Sequence, residues 1–129
     1  FNIRRNNKMN KRFLSKLIIG ISLCSLLLIP VAVFAEEGTA VHYSNKFQGR
    51  KTASGERFDQ KKLTAAHKQY PFGTKVRVTN LENNRSVVVK INDRMATKNS
   101  NLIDVTSRAA NELGFRKQGK ARVSLEAVD

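Results

Sequence analysis

A glutamate and a histidine, Glu56 and His67, stand in the polar, glycine-punctuated run Thr52–Thr74, "TASGERFDQKKLTAAHKQYPFGT". A third titratable residue, Asp93, follows a strongly alternating segment further along the chain. A run of this length without periodicity is uncommon in a compact domain, where it usually has a function. The residue types permit proton transfer. Each also has an ordinary structural alternative: a solvated loop glutamate, a buried histidine that supports the loop, and a turn aspartate that bonds to its own backbone.

Thiol and metal chemistry are not expected in this chain. The single cysteine, Cys24, lies in an apolar N-terminal run, so the remainder has no thiol nucleophile and no disulfide. His42, His67 and scattered carboxylates make a poor ligand set, and we predict no metal and no cofactor. A lipoprotein signal would need a small residue before the cysteine, but Leu23 stands there, so lipid anchoring is not expected either.

The first 35 residues are typical of a secretory signal. Six basic residues precede an apolar run from Leu17 to Ala35 that ends in "VFA". We predict cleavage after Ala35, which leaves residues 36–129 as one small extracytoplasmic domain. The alternative is an uncleaved N-terminal anchor, because the apolar run approaches the length of a membrane span. Residues 1–8 precede Met9 and are interpreted as upstream of the translation start.

The predicted domain is basic. Six of the 24 basic residues lie before Ala35, and all ten acidic residues lie after it. The domain therefore has 18 basic and ten acidic residues and a net charge of +8. Such a surplus favours polyanionic surroundings. Nucleic acid is disfavoured as a partner because the basic residues are scattered, tryptophan is absent and aromatic residues are few. Retention among anionic cell-wall polymers and plain solubility both account for the charge.

Hydrophobic alternation predicts several short strands. Residues 74–80 and 85–93 alternate strictly and flank a turn at Asn83-Asn84 that tolerates positive φ, so they form a hairpin. Looser patterns predict strands at 39–44, 63–66 and 121–128. The capping and apolar pattern of residues 104–114 predicts one short helix, which Thr106 or Ser107 caps and Gly114 ends. Short strands, one small helix and many turns favour a mainly β fold, a small closed barrel that hides its strand edges.

The blocks "TASGE", "LTAAH", "PFGT", "VRVTN" and "NDR" occur in an order and spacing that resemble the rare lipoprotein A (RlpA) family. The resemblance covers essentially all of residues 36–129 and implies a six-stranded double-psi β-barrel. It also implies lytic transglycosylase activity, which cleaves the MurNAc–GlcNAc bond of peptidoglycan without water and leaves a 1,6-anhydro sugar. Localisation in the bacterial cell wall and binding to glycan strands follow from the same resemblance.

The resemblance also assigns candidate site residues. The family's acid–base aspartate falls on Asp93, its glutamate on Glu56 and its histidine on His67. One carboxyl can protonate the leaving oxygen and then deprotonate the attacking O6 hydroxyl if its pKa is raised, and we expect Glu56 to be the neighbouring carboxylate that raises it. His67 would hydrogen-bond one of the two carboxyls or interact with the substrate. Arg94 would hold a substrate carboxylate or form a structural ion pair.

Two further residues near these motifs have open roles. Tyr43, at the end of the first predicted strand, is a candidate platform for stacking a sugar ring, with packing in the core or rim as the alternative. Asp104 is interpreted as a capping residue at the start of the predicted helix and is not expected to be catalytic.

The sequence departs from the family after "NDR", where "MATKNSN" replaces the common Gly-Pro-aromatic stretch. This loop borders the predicted cleft, so the departure bears on substrate fit and activity. The alternative function is a non-catalytic module that binds or loosens wall polysaccharide, as in expansin-like double-psi barrels. A small inhibitor or partner protein on the same fold is a third possibility. We expect a monomer.

Overall fold

The computed structural model describes residues 35–128. The predicted signal segment lies almost wholly outside this range and stays a prediction. Within the range, no helix combines the length and the apolar composition that crossing a membrane requires. The elements are listed in chain order: strand β1 (Glu36–His42), a 3-10 turn (Asn45–Phe47), strands β2 (Thr64–His67), β3 (Lys75–Asn80), β4 (Ser86–Arg94) and β5 (Ile103–Val105), helix α1 (Ser107–Leu113) and strand β6 (Lys120–Val128).

The six strands close into a barrel in the order β1-β5-β2-β4-β3-β6. Two neighbouring pairs, β1/β5 and β2/β4, are parallel, and the other four are antiparallel. Closure pairs every strand on both sides, so the barrel has no free edge. The mainly β class and the six-stranded barrel are confirmed.

The predicted alternation is confirmed where it was strongest. Val76 and Val78 on β3 face Val87 and Val89 on β4, and all four are buried in the barrel interior. Asn84 in the connecting turn has φ 61°, the left-handed conformation that asparagine tolerates well. The interior is completed by apolar side chains from every strand and from α1, among them Ile91, Ile103, Val105, Leu113, Phe115, Val123 and Leu125.

Helix α1 is short, as predicted. Thr106 is its N-cap, and the Thr106 side chain accepts a hydrogen bond from the backbone N–H of Ala109. Gly114 ends the helix with φ 82° in the left-handed region, which favours glycine. Residues 103–105, which lead into the helix, form the separate strand β5, an element that the hydrophobic pattern did not predict.

Candidate functional site

A β-bulge turns the side chain of Asp93 away from the barrel interior. On β4, Ile91 pairs with Ala65, but the next paired residue on β2, Ala66, lies opposite Asp93, which leaves Asn92 as the extra residue. Regular alternation from Val89 and Ile91 would have pointed Asp93 into the apolar core. The bulge instead places Asp93 on the outer face, as bulges commonly do beside functional sites.

The Asp93 carboxyl group is held by three hydrogen bonds. Oδ1 accepts from the backbone N–H of Ala53 and of Arg94, each at 2.9 Å, and Oδ2 accepts from the Tyr43 hydroxyl at 2.6 Å. The turn Thr52–Gly55 therefore contacts Asp93 through its backbone at Ala53. These bonds fix the orientation of the carboxyl group before any substrate binds.

A second carboxyl, that of Asp104, shares this face. Asp104 lies on β5 between the buried Ile103 and Val105, and it pairs with Ala66, the residue that pairs with Asp93 on the other side. The two aspartates thus lie in one row across β4, β2 and β5, with Cα atoms about 10 Å apart by strand spacing. The small alanine between them leaves their side chains room to approach.

Asp104 is in an unusual electrostatic environment. Its Oδ1 is buried and has no hydrogen-bond partner among residues 35–128. Burial, reinforced by the charge of Asp93 and opposed by His42, raises the pKa of Asp104 from 3.8 to about 6. The interpretation of Asp104 as a helix cap was wrong, because Thr106 performs that role. The sequence signal that would have revealed Asp104 is its position between two apolar β-branched residues in "IDV".

Tyr43 is too buried to serve as a sugar platform. Its side chain packs with Phe47 and Phe58, at ring-centroid distances of 5.9 and 4.3 Å, and it is only 8% exposed. Burial and the hydrogen bond to Asp93 raise the pKa of its hydroxyl group. Tyr43 therefore stays protonated and acts as a hydrogen-bond donor that orients Asp93.

Glu56 is not the carboxylate beside Asp93. Its Oε2 accepts a hydrogen bond from Lys90 Nζ at 2.9 Å, and this contact lowers the pKa of Glu56 below its usual value. The side chain is 46% exposed and belongs to the same loop as Ala53, so it borders the site as an ionised group. The carboxyl group that shares a strand row with Asp93 is that of Asp104.

His67 contacts neither Asp93 nor Glu56. It is 3% exposed, and its Nδ1 accepts the backbone N–H groups of Gln69 and Tyr70, each at 3.1 Å. The ring proton therefore lies on Nε2, which donates to Glu36 Oε1 at 3.1 Å. His67 organises the turn after β2 and ties that turn to the start of β1.

Arg94 is also occupied by the protein. Its Nη1 donates to the carbonyl oxygens of His67 and Tyr70 at 3.1 and 2.8 Å, and its guanidinium carbon lies 4.5 Å from the centre of the Phe72 ring. Among residues 35–128 these contacts include no ion pair of Arg94, and a contact with a substrate carboxylate stays a prediction. Arg94 anchors the turn that carries Phe72.

These contacts define a pair of aspartates, Asp93 and Asp104, on the outer face of a closed six-stranded barrel. This combination places the chain in the double-psi β-barrel class, whose pairs of parallel and antiparallel strands it reproduces. A family model described as "Lytic transglycolase" matches residues 35–125. The chain belongs to this family and, within it, to the RlpA proteins.

Curated relatives support this membership. The chain is 47% identical over 98 residues to the endolytic peptidoglycan transglycosylase RlpA of Neisseria meningitidis serogroup A, covering 76% of this chain and 41% of that protein. It is 50% identical over 91 residues to the probable endolytic peptidoglycan transglycosylase RlpA of Synechocystis, covering 70% of this chain and 28% of that protein. The chain therefore spans less than half the length of these two relatives.

Solved structures show the same fold at low sequence identity. A mutant expansin of Clavibacter michiganensis, in complex with cellohexaose, superposes with a TM-score of 0.60 at 18% identity, covering 74% of this chain and 51% of that one. A Streptomyces papain inhibitor gives the same TM-score at 18% identity, covering 78% of this chain and all of that one. Proteins with different activities share this barrel, so the chemistry of the site decides between functions.

Proposed function

We propose that this chain is a secreted peptidoglycan lytic transglycosylase domain that acts in the cell wall, with Asp93 as its general acid–base residue. The reaction cleaves the bond between MurNAc C1 and the GlcNAc oxygen and leaves a 1,6-anhydro-MurNAc end. The observation that carries the proposal is the row Asp93–Ala66–Asp104, in which an oriented carboxyl group lies beside a buried one. Family membership supports the same reaction.

The two aspartates supply the proton that this reaction needs. Burial and the neighbouring charge of Asp93 raise the pKa of Asp104, so Asp104 keeps its proton to a higher pH than an exposed aspartate would. As the glycosidic bond breaks, that proton goes to the departing GlcNAc oxygen. The O6 hydroxyl of the same MurNAc then attacks C1 and returns its proton to the pair, so no water is consumed and the site is restored.

Other residues support this cycle without exchanging the proton. Tyr43 and the Ala53 N–H orient Asp93. A carboxyl group displaced from this position would transfer the proton more slowly. Glu56, ionised beside Lys90, is positioned to hydrogen-bond sugar hydroxyls and to stabilise positive charge that develops at C1. His67 and Arg94 hold the turn after β2. Because protonation of the pair is required, cleavage should decline as the pH rises above about 6.

The experiment compares the wild type with Asp93→Asn, Asp104→Asn and the control Asp59→Asn on purified glycan strands, with products identified by mass spectrometry. We expect anhydro-ended fragments from the wild type and the control, and a loss of at least roughly 100-fold in both site variants. Intact strands that nevertheless bind the wild type would contradict the proposal and indicate a non-catalytic wall-binding module. Fragments with reducing ends would contradict it in favour of a hydrolase.

A further inference from the structure

We propose that Phe72 is a platform on which a sugar ring of the glycan strand stacks, at the end of β4 that carries Asp93. The inference rests on the proposed function only in its choice of ligand, a pyranose of the peptidoglycan glycan. Three observations support it: the position of the turn that carries Phe72, the contact of the ring with Arg94, and the difference between Phe72 and the other exposed apolar side chains.

The turn that carries Phe72 lies along the end of β4. The Gly73 N–H donates to the Ile91 carbonyl oxygen at 2.7 Å, and the Ile91 N–H donates to the Thr74 carbonyl oxygen at 2.9 Å. These bonds extend the β3/β4 pairing past Lys75, toward the bulge that turns Asp93 outward. Phe72 therefore flanks the Asp93 end of β4 on the edge opposite β2.

One face of the Phe72 ring is covered, and part of the residue is exposed. The Arg94 guanidinium lies over one face at 4.5 Å and is fixed in place by its bonds to two backbone carbonyls. Phe72 is nevertheless 44% exposed, so part of its surface remains in contact with solvent. A cation on one face of an aromatic ring holds the ring without occupying the other face, which suits a rigid binding surface.

Phe72 is more exposed than the other aromatic side chains of residues 35–128. Phe47 and Tyr70 are half-buried and pack against Tyr43 and His67. Tyr43 and Phe58 are buried in the cluster behind Asp93. Among residues 35–128, the other large hydrophobic side chains classed as exposed are Leu81 and Val88, which are aliphatic. An aromatic face attracts the partly positive C–H groups of a pyranose ring, whereas an aliphatic side chain lacks that electrostatic preference. Isolated exposed apolar residues are ordinary, but of these three only Phe72 is aromatic and held by Arg94, the residue that follows Asp93.

Binding of peptide-free glycan strands to Phe72→Ala and to the matched control Leu81→Ala tests the inference, with melting temperatures confirming that both fold. Leu81 is 41% exposed and lies in the turn after β3, at the strand end remote from Phe72. We expect Phe72→Ala to weaken binding roughly tenfold and Leu81→Ala to bind like the wild type. Equal affinities of both variants and the wild type would overturn the inference.

The absence of tryptophan allows a direct optical test. Phe72→Trp should keep binding and give a saturable change in fluorescence when glycan is added, while Leu81→Trp should give none. An unchanged Phe72→Trp spectrum at saturating glycan would contradict the platform. These readouts do not depend on turnover. If the wild type binds through Phe72 but releases no anhydro fragments, the proposed function fails and the platform stands. If the wild type releases anhydro fragments but its binding does not depend on Phe72, the platform fails and the proposed function stands.

Discussion

Strands β2 and β4 carry two regions of opposite character, one on each side of the bulge. In the first region, Asp93 and Asp104 flank Ala66, and a buried oxygen of Asp104 lacks a partner among the described residues. In the second, His67 pairs with Arg94, and the ring nitrogens of His67 and the Nη1 of Arg94 are bonded to the protein. Both regions contain residues that the family resemblance assigned to the site.

The difference separates reacting groups from groups that hold the structure. A buried polar atom without a protein partner lowers stability unless a water or a ligand satisfies it, so Asp104 differs from a residue that only holds the fold. A buried histidine whose nitrogens are both bonded contributes to folding instead. The proposed function gives proton transfer to the aspartate region and positioning to the histidine region, and three substitutions test this division.

The largest effect on stability is expected from His67→Ala. The substitution leaves the N–H groups of Gln69 and Tyr70 without their acceptor and opens a cavity in a site that is 3% exposed. We expect a loss of about 2–4 kcal/mol in the free energy of unfolding, measured by denaturant titration. Glycan cleavage should fall only as far as folding does. A fully stable His67→Ala protein without activity would show instead that His67 acts on the substrate.

An intermediate and opposite effect is expected from Asp104→Asn. The stability contributed by this carboxyl group is fully present below pH about 4, where it is protonated in both the folded and the unfolded protein. It is lost as the pH rises through about 6, the raised pKa in the folded protein. At pH 8, Asp104→Asn should therefore be more stable than the wild type by about 1–3 kcal/mol, with little difference at pH 4.

Thermal unfolding at the two pH values measures this gain. The titratable groups that face Asp104, namely His42, Tyr43 and Asp93, are unchanged in the variant, and Asp59→Asn, in the loop before β2, is the control. A variant that is less stable than the wild type at pH 8 would mean that ionised Asp104 is stabilised by the fold, contrary to the account given above.

The smallest effect on stability is expected from Glu56→Gln. The substitution removes an ion pair with Lys90 in which both side chains are more than 40% exposed. Such pairs contribute at most about 0.5–1 kcal/mol, so the melting temperature should hardly change, while glycan cleavage should decrease because the ionised group near the sugar is lost. Unchanged cleavage together with unchanged stability would show that Glu56 has no role in the reaction.

The sequence predicted those parts of the fold whose signals are local and repeated. The β3/β4 hairpin, the helix with its Gly114 stop and the closing strand follow from alternation and capping, which depend on neighbouring residues. Strand β5 was missed because three residues are too few to establish a period. Its pairing with β1 and β2 depends on contacts far apart in the chain, which local patterns do not encode.

The site was predicted less completely than the fold, for a related reason. The alternation of "SVVVKIND" continues through Asn92, so nothing local reveals the bulge that turns Asp93 outward. The partner of Asp93 was sought in Glu56, which is near in the family motifs, whereas the barrel places Asp104 in that position. Tyr43 was noticed for its ring, but its hydroxyl group is what reaches Asp93.

The central claim is that Asp104, buried beside Asp93, keeps its proton to a pH of about 6 and so supplies the proton for the reaction. The most direct measurement is a carbon-13 NMR titration of the side-chain carboxyl groups in the folded domain, with signals assigned through Asp93→Asn and Asp104→Asn. The account predicts that the Asp104 signal titrates near pH 6 and moves toward lower pH in Asp93→Asn, because the neighbouring charge is gone. An Asp104 signal that titrates near pH 4 in both proteins would contradict it.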